Sequence, residues 1–379
     1  MSAGPRVPLA FFYAAMFVVV GVQLPFLPAW LATRGLSAPE IGTLLALGQW
    51  IKLATTPLAG IAADRSGEPR RVLLVLGGGA LAGYVLLLSA VGFARLFLFT
   101  AATLGCLAAM LPLAEKMALE AAYAGKLEYG HVRLWGSIAF IASSLLAGKV
   151  LAGGDYDIVI YLLIGAALLL LVASLALPQG DALFSTRRAD WRLFARPRFI
   201  VFLLAATLVQ GSHSVLFGFG TLYWQGLGHS DETIAVLWSE SVVAEIILFF
   251  WSAPLLRRAD PLALIVLSGG AGVLRWTGTT FATGLPALAL LQLLHAFTFA
   301  AAHLGAMHYL ARTLPPEQAA TAQSLYAVVV GGIGAGLLML AAGALYGAVG
   351  VRAYLAMAAC AGAGGLAALA IRPAGAVRW

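Results

Sequence analysis

Charge is what this sequence has least of. Only 10% of its 379 residues are Asp, Glu, Lys or Arg, against about 25% in an ordinary soluble domain. Sixteen acidic and 23 basic side chains cannot clothe a water-facing surface of this size. With 61% apolar residues, soluble enzymes and disordered chains are both excluded. Cysteine is nearly absent: Cys106 and Cys360 lie inside apolar runs, which excludes a disulfide scaffold and leaves the redox compartment unspecified. No basic patch is interleaved with exposed aromatics, so the net charge of +7 does not indicate nucleic acid. Glycine, by contrast, is plentiful at 43, as where helices approach closely inside a bilayer. What remains is an integral membrane protein.

Crossing the hydrocarbon layer takes about 20 apolar residues. Twelve such runs occur, at about 8–33, 38–63, 71–92, 96–122, 132–152, 157–177, 199–226, 232–254, 261–281, 285–311, 319–346 and 351–371. They are continuous rather than alternating, so the expected class is an all-α membrane protein with twelve transmembrane helices, not a β-barrel. The run after Arg6 continues to about residue 31 without a small-residue cleavage site, and reads as the first span rather than a signal peptide. The longest polar interval, 179–198, carries Arg187, Arg188, Arg192, Arg196 and Arg198. It divides a six-helix half, 1–178, from a second, 199–379, as in a parallel internal repeat. Fifteen loop Lys and Arg lie on the side of that linker and both termini, and four (Arg34, Arg95, Lys149, Arg352) on the other. That bias puts both termini and the linker in the cytoplasm of a multi-pass inner-membrane protein.

Four cations remain in or at the edge of spans: Lys52, Lys116, Arg133 and Arg275. An ionisable group at the middle of a span costs about 2.5–3.5 kcal/mol on insertion scales and faces a cavity or a partner. In span 4, Lys116 and Glu120 are four apart and can pair along the helix, whereas Glu115, a turn deeper, is open between packing and a cavity. Arg133 reads either as an interface anchor beside Trp135 or as a partner of Glu115 or Glu120. Lys52, with Gln49 and Trp50, sits near mid-membrane, about two turns from the interface.

The second half is richer. Glu240 and Glu245 on span 8 are about 140° apart around the helix. Arg275 stands beside Trp276 on span 9, Gln210 and His213 share a face of span 7, and Gln292, His295, Phe299 and His303 form a 3-4-4 stripe on span 10. A lone membrane His is usually a hydrogen-bond partner of a neighbouring helix. Two on one stripe, with a Glu and an Arg at similar depth, point to a proton-coupling group of Glu245, Arg275 and His303. A cation moving relative to a carboxylate in low dielectric changes whether that carboxylate holds a proton, and imidazole titrates close to neutrality.

Other motifs read as structure. Gly331-Gly-Ile-Gly334-Ala-Gly336 matches part of a dinucleotide fingerprint, but it lies in an apolar span with no strand before it, so close packing or a hinge is expected. Gly77-Gly-Gly79 reads the same way. His303 and His308 are five apart and no HExxH is present, against an intramembrane metalloprotease.

The loop after span 2 reads Gly60-Ile-Ala-Ala-Asp64-Arg65-Ser-Gly67-Glu-Pro-Arg70-Arg71. It resembles the major facilitator signature G-x-x-x-D-R-x-G-R-R, with Glu68-Pro69 inserted before the two arginines. Further strings are YGHVRLWGS at 129–137, Gln210-Gly-Ser-His213, Leu222-Tyr-Trp-Gln225, Leu237-Trp-Ser239, Val242-Val-Ala-Glu245, Val273-Leu-Arg275-Trp276 and Gln292-Leu-Leu-His295 with His303-Leu-Gly-Ala-Met307. Together they resemble the 3-phenylpropionate permease family, from the first span to the last, and more distantly the lactose permease and nucleoside–proton symporter groups. The resemblance implies the major facilitator fold and proton symport of an aromatic carboxylate across a bacterial inner membrane. It also implies a monomer with no cofactor beyond the proton gradient and no metal. It singles out Glu115, Arg133, His213, Glu245, Arg275, His295 and His303, with Glu115 where an Asp is expected.

On this reading Glu245 carries the proton, with Glu115 and His303 as further candidates. Arg275 or Lys52 meets the substrate carboxylate, with Arg133 towards the gate. Trp238, Trp276, Phe299 and Tyr223 offer stacking surface, and His213, Gln210, Gln292 and His295 complete the binding set. Gly60, Asp64, Arg65, Gly67, Arg70 and Arg71 form the gating loop, and the halves rock about a midplane site. The partners expected are lipid, substrate and protons. The alternatives are sugar or nucleoside symport, in which cavity carboxylates and Gln side chains bind hydroxyls, an exporter, and a non-transporting sensor, assembly factor or intramembrane enzyme.

Overall fold

The computed structural model describes residues 4–179, 193, 196–252 and 259–371. Most of the interval 179–198, with Arg187, Arg188 and Arg192, lies outside the described residues, as do Arg257, Arg258, Arg372 and Arg378. Every regular element among the described residues is helical. They are α1 (Arg6–Thr33), α2 (Ala38–Ser66), α3 (Pro69–Leu88), α4 (Phe93–Tyr123), α5 (Tyr129–Leu151), α6 (Ile158–Ala176), α7 (Pro197–Gly211), α8 (Ser214–Gly226), α9 (Asp231–Phe250), α10 (Pro261–Phe281), α11 (Leu285–Leu293), α12 (Ala302–Thr313), α13 (Pro316–Val328), α14 (Ala335–Val349) and α15 (Ala353–Ala370). π-turns at Ala296–Ala301 and Val329–Gly334 interrupt the chain between α11 and α12 and between α13 and α14.

Among the described residues, ten helical stretches are long and apolar enough to cross a membrane. The last, Thr321–Ala370, runs for 50 residues, about twice a single crossing, and Gly350 interrupts it at a φ of 57°. α2, 29 residues long, is not one of the ten, because Gln49, Lys52, Thr55 and Thr56 dilute its apolar character. Large apolar side chains point outward along the spans: Val75 is 75% exposed and Leu290 66%. In water such a surface would aggregate, whereas against lipid it is the ordinary exterior.

The packing divides the chain into two units. The first comprises Met1–Thr186 together with Phe217–Ser239. In it α1 lies along α5 and α6, α2 lies on α4, and α3 packs against α4 and α6. A Cβ on Gly21 would stand 2.2 Å from Ser143 Oγ and 2.6 Å from Phe140 O, so the α1–α5 contact depends on that missing atom. Cys106 fills the equivalent space beside Gly79, 2.8 Å from where its Cβ would be, so close packing accounts for Gly79, while a Cβ on Gly78 would meet nothing within 4 Å.

The gating-loop motif has a local explanation. α2 ends on Gly67 with a φ of 67°, the left-handed conformation that glycine adopts without strain. Pro69 then opens α3 at the position where a missing N–H costs nothing, so the inserted Glu68-Pro69 is the start signal of the next helix. Arg70 and Arg71 fall in the first turn of α3, and Arg71 pairs with Glu68. Asp64, on the last turn of α2, pairs with Lys116 of α4 at 3.5 Å. Lys116 therefore reaches across to another helix rather than only along its own towards Glu120.

Phe217–Ser239 joins this unit through a polar corner. Tyr156, between α5 and α6, donates to Asp231 Oδ1 at the start of α9, and Gln225 Nε2 donates to the same oxygen at 2.9 Å. Burial and then the Asp231 carboxylate raise the Tyr156 pKa, so the phenol stays a donor. Its neighbour Asp157 accepts from Arg34 Nη2 at 2.6 Å and Trp30 Nε1 at 3.2 Å. A Cβ on Gly148 of α5 would lie 2.6 Å from both Asp231 O and Ala235 Cβ.

The second unit comprises Arg187–Leu216 and Glu240–Trp379. α10 packs along α15, α7 against α15 and the second π-turn, and α12 with the first π-turn against α10. Gly269 meets Gly365 so closely that a Cβ would stand 2.7 Å from the latter's Cα. Its apolar core holds Phe202 stacked on Tyr309 at 4.5 Å. Gly334, within the fingerprint-like glycine run, abuts Thr207 of α7, so close helix packing accounts for that glycine.

Candidate functional site

The second unit contains a closed polar cluster. Arg275 on α10 is 0% exposed, and an unpaired buried cation would be costly. Its Nη1 donates to His295 Nδ1 at 3.0 Å and to Thr298 Oγ1 at 2.9 Å, and its Nη2 donates to Gln292 Oε1 at 2.7 Å. Ser241 Oγ donates to the same Gln292 oxygen at 2.9 Å. The guanidinium also lies over Trp276, 4.6 Å from the ring centroid. Trp276 is held in turn by Ser212 Oγ, which accepts from its Nε1 at 2.9 Å, and by Tyr354 stacked on it at 5.9 Å.

Hydrogen-bond accounting assigns both histidines. A guanidinium only donates, so His295 Nδ1 must accept, and its proton is on Nε2. That nitrogen faces Glu245 Oε2 of α9 at 3.6 Å, just beyond hydrogen-bond length. His213 follows the opposite pattern. Its Nδ1 is 3.0 Å from Gln210 O, which only accepts, so Nδ1 carries the proton and Nε2 accepts from Thr298 Oγ1 at 3.0 Å. Each ring thus carries its proton on one nitrogen and accepts at the other, the arrangement of a neutral imidazole. The rings pack edge to face at 5.5 Å, and Phe299 stacks on His295 at 5.1 Å.

The first π-turn shapes this cluster. It widens the backbone just after His295, and Gln210 Nε2 donates to the Phe299 carbonyl within it at 3.3 Å. His303 lies half-buried in α12 beyond the π-turn. The residue in contact with both Arg275 and Glu245 is His295, which the sequence reading had assigned to the substrate.

The first unit treats its polar residues differently. Lys52 Nζ donates to Gln49 Oε1 at 2.6 Å, one turn back on α2. Tyr129 OH donates to Glu115 Oε1 at 3.4 Å, and Tyr13 meets the Tyr129 ring edge-on at 6.5 Å. Arg133 lies over Phe17 at 4.3 Å, and among the described residues it forms no ion pair with Glu115 or Glu120. Trp238 is also in this unit: its Nε1 donates to Thr221 Oγ1 at 3.1 Å, and its ring packs against Phe217 and Trp224.

Of the expected binding set, Arg275, His213, Gln210, Gln292, His295, Trp276 and Phe299 form one connected cluster with Glu245. Lys52, Arg133, Glu115, Trp238 and Tyr223 belong to the other unit. Sequence reasoning missed Thr298, which links the two histidines through Arg275, and the pairing of Tyr156 with Asp231. The spacing of His295 and Thr298, one turn apart, was the available signal for the first. Among the described residues no three His, Cys, Asp or Glu side chains converge as metal ligands.

A model of the MFS_1 like family matches residues 7–356. A protein of Escherichia coli (strain K12) described as a probable 3-phenylpropionic acid transporter is 34% identical over 377 residues, 96% of each chain. Maltose permease of Geobacillus stearothermophilus is 27% identical, over 91% of this chain and 88% of its own. The crystal structure of the nucleoside transporter NupG matches with a TM-score of 0.84 at 16% identity, covering 97% of this chain and 99% of that one, which is a likeness of fold.

Proposed function

The chain belongs to the MFS_1 like family and is a multi-pass membrane transporter of the major facilitator type rather than an enzyme; from that premise we infer that it is a proton symporter importing a small aromatic carboxylate such as 3-phenylpropionate. The substrate reading is supported by the 34% identity to the probable 3-phenylpropionic acid transporter. The coupling reading rests on one observation: Arg275 occupies His295 Nδ1, which leaves Nε2–H facing Glu245.

An ionised Glu245 accepts from that N–H. A protonated Glu245 presents an O–H that His295 cannot accept, because its acceptor nitrogen is already spent on Arg275. The two protonation states of Glu245 therefore favour different placements of the side chain, and that difference links proton binding to alternating access. Glu115 and His303 are the secondary proton candidates.

The reading includes twelve spans: Thr321–Ala370 counts as two crossings and α2 as one more. The expected halves are 1–178 and 199–379 about the linker 179–198, with both termini in the cytoplasm of a bacterial inner membrane. The protein acts as a monomer, with no cofactor beyond the proton gradient. The test is uptake of 3-phenylpropionate into proteoliposomes with and without an inward proton gradient. Gradient-driven accumulation that a protonophore abolishes is expected. No uptake by folded, inserted protein would overturn the carboxylate reading, and reversing the gradient tests export. The second reading, sugar or nucleoside symport, is favoured by the maltose permease relative and the nucleoside-transporter fold, and competition by maltose or a nucleoside tests it.

A further inference from the structure

Arg275 and Lys52 are the two cations offered for an anionic substrate, and their surroundings separate them. Arg275 is fully buried, with three of its five N–H groups held by His295, Thr298 and Gln292, so a carboxylate reaching it must first open the packing around it. Lys52 is half-buried, and among the described residues its ammonium has one partner, the neutral amide oxygen of Gln49. Of its three N–H donors, two are left for another acceptor. Among the described residues no carboxylate pairs with it.

Its position removes the usual escape of a membrane lysine. Lys52 lies at the middle of α2, 14 residues from either end (Ala38 to Lys52 and Lys52 to Ser66), so the interface is about two turns away, ~11 Å at 1.5 Å per residue and beyond the reach of a four-carbon stem. A mid-span cation without a counter-charge is costly unless function supplies one. Leu45, Gln49, Lys52 and Thr56 recur at three- and four-residue steps, so they share a half-buried stripe, with the amide one turn from the ammonium.

We propose that Lys52 binds the substrate's carboxylate, with Gln49 holding the ammonium in place between transport events, and that this pair selects organic anions over neutral sugars and nucleosides. The proposal rests on the carboxylate reading above. Arg275 then serves as a positioning residue for His295 and has no direct contact with substrate.

The experiment measures exchange of 3-phenylpropionate in proteoliposomes, competed by 3-phenylpropionate or by its neutral amide, for wild type and for Lys52→Gln, Lys52→Arg and Gln49→Glu. For Lys52→Gln the KM for the acid is expected to rise on the order of tenfold to a hundredfold, the loss of one charge-assisted contact. The preference for acid over amide should vanish, while Lys52→Arg regains most of both. Gln49→Glu supplies Lys52 with its own carboxylate and should raise KM similarly in a chain that keeps the lysine, which covers a Lys52→Gln protein that fails to fold. Unchanged KM and selectivity in folded Lys52→Gln or Gln49→Glu, with wild type transporting the acid, would overturn the assignment alone. Wild type that moves maltose or a nucleoside but no carboxylate would overturn it together with the reading it rests on.

Discussion

Lys52 and Arg275 are both cations deep in apolar helices, yet the two units treat them in opposite ways. Around Arg275 the second unit supplies three acceptors, from Gln292, His295 and Thr298, and buries the guanidinium completely. Around Lys52 the first unit supplies one amide oxygen. A fully buried charge held by several partners resists change, because its removal leaves part of that network unsatisfied. A half-buried charge with unused donors is available to something that arrives from outside. The contrast separates a fixed scaffold for proton chemistry from an open contact for a ligand.

The largest test of that contrast is Glu245→Gln. It keeps the shape but cannot cycle a proton, so accumulation against a gradient should fall to the equilibrium level while exchange survives. Uphill uptake by this variant would remove Glu245 from the mechanism. Next comes Arg275→Met, which strands His295 Nδ1 and leaves the Gln292 oxygen with Ser241 alone. A cost of about 1–3 kcal/mol per stranded group is expected, read as a lower thermal midpoint in detergent. Thr298→Val, of nearly equal volume, removes only the link between Arg275 and His213, and should cost about 1–2 kcal/mol. It should also be non-additive with Arg275→Met, since both act on one network. The smallest effect is Trp238→Phe in the other unit, which gives up the bond to Thr221 for about 1 kcal/mol and should add simply to Arg275→Met. A coupling between those two would erase the distinction between the regions.

Much of this was legible before any coordinates. Apolar runs longer than a bilayer crossing declare themselves, and a charge inside one stands out by its cost, so Glu245, Arg275 and Lys52 were visible by type alone. Their pairings were not. The 3-4-4 stripe of Gln292, His295, Phe299 and His303 assumes an unbroken α-helix, and a π-turn inside an alanine-rich stretch has no periodic signature. Thr298 was invisible for another reason: a hydroxyl in an apolar run reads as filler until an arginine is found beside it. Lys116 illustrates the limit of spacing arguments, because its partner Asp64 is adjacent in space and 52 positions away in sequence.

Gly148 acts as a gauge one carbon wide. The hydrogen that serves as its side chain lets α5 touch the start of α9, where a methyl would meet Asp231 O and Ala235 Cβ at 2.6 Å. Gly148→Ala is therefore a wedge: it penalises every arrangement in which these two helices touch and leaves untouched those in which they part. Placed in a cycling protein, that single methyl converts a question about motion into one about weights, because the more time the wild-type chain spends with the contact closed, the more the alanine shifts it.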